Sequence, residues 1–203
     1  ARAVVNFTPV LLEQLCAYVG QLEDWLAHGQ RLRDPLLAAL AGPGLPVDSE
    51  SRQELMHACR RANRAHLIER FPVFRELVDI SATFLEQPET IGYLNDQFLV
   101  DLLVWYHLAW MGDSVRENDL RISSLQNKGR GFDNDDRRRV VESILEQLRS
   151  IVPRYRALRD EGRVELSFTP HSHPILPLLL DFGSARQAMP DAPLPTSAAY
   201  PGG

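Results

Sequence analysis

GRVELSFTPHSHPILPLL, residues 162–179, is the stretch on which the fold turns. Its first third alternates: Val164, Leu166 and Phe168 fall on one face of an extended chain, Glu165, Ser167 and Thr169 on the other. Thr169-Pro170 then reads as an N-cap and a first helical position, ending the strand and turning the chain. His171, Ser172, His173 and Pro174 follow, before an apolar helix from Ile175 to Leu180. A carboxylate, two hydroxyls and two imidazoles thus gather around the C-terminal end of one strand, where parallel α/β folds place their ligands. The plain alternative is a polar face that meets water or is satisfied by its neighbours.

A second unit of the same kind opens the chain. AVVNF at 3–7 reads as a short buried strand, with Ala3, Val5 and Phe7 on one side and Asn6 and Thr8 on the other. Thr8-Pro9 caps a helix to His28. Between the two units nearly everything is helical. Asp34–Leu40 is a short helix ended by Gly42-Pro43-Gly44, and Ser49 or Ser51, with Glu54 completing a capping box, starts one that runs to Glu69. Pro72 restarts the chain through Leu85. Ile91–Met111 is apolar nearly all round and so belongs in the centre. Residues 118–133 read as irregular, and 135–159 carry a long helical stripe that Pro153 bends and Gly162 ends. The expected organisation is one α/β segment over 1–185, with strands near 2–7 and 163–168, helices within 10–159 and a helix at 174–181. An extended tail follows over 186–203.

Composition narrows the function. A net charge of −5, with no basic stripe interleaved with aromatics, excludes a dedicated nucleic-acid binder. Asp133, Asp135 and Asp136 precede Arg137, Arg138 and Arg139, which reads as a solvated first helical turn. The longest apolar run, Phe98–Met111, is too short for a bilayer and holds Asp101 and His107. Cys16 and Cys59 lack metal or redox spacing and read as buried thiols of a cytoplasmic protein. Two strands separated by so long a helical stretch neither close a barrel nor make a stable sheet, so the expectation is part of a larger α/β domain. Ala1, already inside a strand-like pattern, points the same way. Exposed strand edges would then favour self-association.

Glu165 is the sharpest candidate. On a barrel strand it points into the lumen, where a carboxylate suits acid–base work or a bond to a sugar hydroxyl; as scaffold it would be buried against an arginine. His171 and His173 form an HxH pair that lacks the further ligands a metal needs, so a neutral imidazole bonded to substrate fits better. Trp105, Tyr106, His107, Trp110 and Met111 fall at core spacing, with Trp110, near the helix end, kept as a site candidate.

NFTPVLLEQL (Asn6–Leu15), VWYHLAWMGDSVR (Val104–Arg116), GRVELSFTPHSHPILPLLLD (Gly162–Asp181) and SARQAMPDAPLP (Ser184–Pro195) together resemble glycoside hydrolase family 57. That family holds α-amylase-like, amylopullulanase, branching and 4-α-glucanotransferase enzymes. The resemblance implies part of a TIM-like (β/α)7 barrel with long helical excursions between early strands. It implies retaining chemistry on an α-glucan or maltooligosaccharide, with no metal or other cofactor. Glu165 matches an active-site acid of the family's second conserved region, and His173-Pro174 the His-Pro after it. Thr169, His171 and Trp110 are placed beside them as supporting residues. The family's His-Gln-Pro strand, nucleophile and acid/base have no counterpart in these residues, so the segment alone is expected to be inactive. Two other classes stay open: a metal-dependent polysaccharide deacylase using His171 and His173, and a non-catalytic helical interaction module.

Overall fold

Two short strands carry the fold's only ladder among residues 3–197, which the computed structural model describes; Ala1 and the Pro201-Gly202-Gly203 end of the expected tail lie outside them. β1 (Ala3–Phe7) and β2 (Val164–Phe168) pair in parallel, from Ala3 opposite Val164 to Phe7 opposite Phe168. A parallel pair requires a long crossover, and here it is the whole helical stretch between them. The chain divides into two compact units: Ala1–Tyr18 with Arg149–Gly203, and Val19–Leu148. The architecture is mostly helical with two parallel strands, a partial α/β arrangement.

The strand unit holds β1, the first half of α1 (Pro9–His28), the second half of α8 (Asn134–Asp160), β2, and the short helices α9 (Leu176–Leu180) and α10 (Ala185–Ala188). Gly162, at φ 67°, ends α8 as expected: its N–H reaches Arg159 O at 2.9 Å and that of Arg163 reaches Leu158 O at 2.9 Å. This paired closure needs a left-handed residue, which glycine supplies without a Cβ penalty. Pro153 does not break α8. Phe7 packs edge-on against Tyr155 at 4.9 Å, so the Ala3/Val5/Phe7 side of the ribbon faces α8.

The helical unit contains the core. α4 (Pro72–Glu86) and α5 (Asp96–Trp110) bury Phe74, Leu77, Leu99, Leu102, Leu103 and Leu108, with α2 (Pro35–Ala41) and α3 (Ser49–Cys59) against them. Several elements depart from the expected pattern, each for a local reason. α3 is capped by Asp48, whose carboxylate accepts from Ser51 N at 2.8 Å, rather than by a serine. It stops at Cys59, and a single π-turn, Arg64–Ile68, follows under an Asn63 cap. The expected helix from Ile91 begins only at Asp96, because Asn95 accepts from Phe98 N at 2.9 Å and so caps there. Residues 118–133 are not irregular: α6 (Asp113–Asn118) ends there and α7 (Leu120–Lys128) lies between the Asp119 cap and Gly129, burying Ile122 and Leu125 one turn apart.

The basic run is also corrected. Arg137 is buried and donates to Ala39 O, Leu40 O and Gly42 O at 2.6–2.8 Å. The last carbonyls of α2 have no partner within their own helix, and a guanidinium satisfies several at once. Asp136 is buried too, paired with Lys128. Cys59 is buried, which pushes its thiol up to about 12, whereas Cys16 is exposed, against expectation. No helix among the described residues is long and apolar enough to cross a membrane.

Candidate functional site

β1 and β2 deliver their C-terminal ends side by side, and the ladder continues one step further through Thr169 N to Phe7 O at 3.3 Å. After Thr8-Pro9 the sequence VLLEQL favours helix, and α1 begins. After Thr169-Pro170 it does not, which overturns the expected N-cap and helix start there. The next helical bond would need an N–H at Pro174 to reach Pro170 O, and proline has none. Instead His173 N–H takes Pro170 O at 2.9 Å in a tight turn, and α9 waits until Leu176. His173 sits at φ 55°, the one non-glycine residue in the left-handed region among those described. Such a backbone costs about 1–2 kcal/mol and is held only where its surroundings require it.

That turn gathers three of the expected residues. Thr169 Oγ1 and His173 Nδ1 are hydrogen-bonded at 2.9 Å. His171 Nε2 is 2.9 Å from Glu13 Oε2 and its Nδ1 3.2 Å from Ser172 Oγ, while its backbone carbonyl accepts from Val10 N at 3.2 Å. The loop after β2 is therefore pinned to the first turns of α1 by one backbone bond and one histidine–carboxylate pair. Both partners of that pair are exposed, so it orients more than it stabilises.

Glu165 stands apart from this cluster. It lies on the ribbon face opposite Tyr155, together with Ser167 and Asn6, and Asn6 Nδ2 donates to Ser167 Oγ at 3.0 Å. Glu165 is exposed and has no hydrogen-bond or ion-pair partner among the described residues. The scaffold alternative, a glutamate buried against an arginine, does not describe it. Trp110 belongs to the helical unit, where it is 56% exposed with its ring 6.3 Å from Tyr106. Its neighbours behave as core: Trp105 is buried and donates from Nε1 to Gly129 O at 2.6 Å, and His107 is buried with Nδ1 on Leu103 O at 2.8 Å.

Two residues escaped the sequence reading. Glu13 is one helical turn beyond Pro9, and the repeated strand-Thr-Pro pattern was the signal that the two loops would be neighbours. Asn6 falls opposite Ser167 only once the parallel register is known. Among the described residues no three His, Cys, Asp or Glu side chains are grouped as a metal would require. Chemically, the ribbon offers one free carboxylate, a hydroxyl–amide pair beside it, and a rigid histidine turn at its end. No curated protein and no solved structure matches the chain. The family model of glycosyl hydrolase family 57 matches residues 54–194, which takes in Trp110, Glu165, Thr169, His171 and His173.

Proposed function

The chain belongs to glycosyl hydrolase family 57, a family of carbohydrate-active enzymes, and we propose that it supplies the sugar-orienting strand of a retaining α-glucan hydrolase or glucanotransferase. The supporting observation is Glu165, a solvent-facing carboxylate without a side-chain partner among the described residues, on a strand face that also carries the hydrogen-bonded Asn6 and Ser167 and the exposed Val4.

Retaining chemistry uses two carboxyl groups about 5 Å apart, one attacking the anomeric carbon and one protonating the leaving oxygen. β1 and β2 carry a single carboxylate between them, Glu165. Its role in this reading is therefore to accept hydrogen bonds from sugar hydroxyls, or to bias the ionisation of a catalytic acid borne elsewhere in the parent enzyme. The 203 residues alone would then turn over no glucan. Neighbouring strands would pair with β1 and β2 to build the TIM-like barrel. His173 would bond a sugar hydroxyl through Nε2, with Thr169 fixing its ring and the Glu13–His171 pair fixing the loop. Trp110, in the helical unit, is a separate candidate whose exposed face would suit a pyranose ring. A cytoplasmic setting suits the two free thiols.

Maltooligosaccharide binding to His173 variants of the parent enzyme tests this. His173→Ala should weaken binding by about tenfold, the loss of one hydrogen bond to a sugar hydroxyl, without lowering the melting temperature, because the turn is closed by backbone. Unchanged affinity would remove His173 from the site.

A further inference from the structure

Within the helical unit, α2, the Gly42–Pro46 loop, one face of α3 and the segment between α1 and α2 surround an open cleft of about 1210 Å³. Its construction follows from sequence. Gly29, at φ 68°, closes α1 through its N–H on Trp25 O at 2.8 Å and releases an extended stretch over 30–34. Leu32 turns inward from that stretch into the core, which leaves Arg31 and Arg33 on its outer side. On α3, Glu54 and His57 are one turn apart and so share a face, and Arg61 follows two residues beyond the helix end.

The floor is apolar, with Leu32 and Leu55 beneath, and half-buried Trp25 contributes a wall. The rim is cationic: Arg31, Arg33 and Arg61 against the single carboxylate of Glu54, a formal +2 in a chain whose net charge is −5. Several arginines elsewhere are engaged, as Arg64 is with Asp79, Arg70 with Asp113 and Arg121 with Glu146. The three rim arginines have no side-chain hydrogen bond or ion pair among the described residues. Guanidinium groups left open around a concave, apolar-floored space form a receptor for a planar or tetrahedral oxyanion.

The geometry points to this cleft as a binding site for a small organic phosphate: a phosphate monoester, whose charge near −2 matches the rim, carried on a compact ring that meets Trp25 and the leucine floor. It shares no residue with the proposed sugar-orienting strand, so the two readings stand or fall separately.

Calorimetric titration of the whole chain with glucose 6-phosphate, adenosine monophosphate and inorganic phosphate tests it. At least one ring phosphate should bind tenfold or more tightly than inorganic phosphate, and which one does so identifies the ring as sugar or nucleoside. Arg33→Ala and Arg61→Ala should each weaken it by about tenfold, the value of a charge-assisted bond. Arg154→Ala, on an exposed position of α8, should leave it unchanged. All these arginines are exposed, so the variants keep the fold, which a thermal melt verifies. No saturable binding, equal affinity for inorganic phosphate, or binding that survives the Arg33→Ala/Arg61→Ala double change would overturn the assignment.

Discussion

Among single residues, the acids separate into those held by partners and those, Glu165 among them, that face solvent. Most carboxylates here are committed. Asp101 is buried and accepts from Gly131 N and Phe132 N at 3.0 Å, and from Gln97 at 2.9 Å. Asp119 accepts from the Arg121 side chain and backbone and from Ser143 Oγ, and these bonds, the guanidinium's first, hold its carboxyl at about 2. An acid whose folded pKa lies below its unfolded value near 3.9 contributes stability above about pH 4 that is lost as pH falls toward 2. His107 acts at a higher pH. Burial lowers its pKa, so below about pH 6.5 the unfolded chain takes up the proton first and stability declines as pH falls. Urea midpoints followed from pH 8 to pH 2 should show both declines. His107→Leu should flatten the one below pH 6.5, and Asp119→Asn the one between pH 4 and pH 2. A variant that keeps its wild-type slope in its own window would refute that assignment.

For the elements, the sequence was legible wherever the signal is local and strong. Both strands, Gly162 as a stop, and the burial of the α5 segment could be read from alternation, turn chemistry and an apolar run. What could not be read depends on partners distant in sequence. Arg137 looks like a solvated charge until the unpaired carbonyls of α2 are placed beside it. Thr169-Pro170 looks like a helix start until Pro174 removes the bond that would extend it. Of the candidate site, Glu165, Thr169 and both histidines were legible as a polar face and a turn, whereas Glu13 and Asn6 needed the parallel register. The strands themselves are underprovided. No described residue of the strand unit is fully buried, and Val4, Phe168, Ile175 and Leu180 are mostly exposed. Two strands with open outer edges and exposed apolar residues invite a further strand. Hydrogen exchange and sedimentation should therefore find fast-exchanging β1 and β2 amides in dilute solution, protected only as the chain self-associates with concentration. Strand amides as protected as those of α5 in a strictly monomeric sample would contradict this.

At the scale of the whole molecule, the buried core and the Glu165 strand belong to different units. The buried core, from Leu22 to Leu145, lies entirely within Val19–Leu148, while Glu165 and the histidine turn belong to the strand unit. A change at Glu165 should therefore leave the melting transition, set by that core, in place. This separation makes the central claim directly measurable. Glu165→Gln in the parent enzyme keeps shape and hydrogen-bonding capacity and removes only the charge. Measured together on that one variant, the rate of α-glucan turnover should fall by about 10²-fold, the scale of a lost electrostatic contact in the transition state, with the melting temperature unchanged. A variant that turns over α-glucan at the wild-type rate would contradict the claim, whatever its melting temperature.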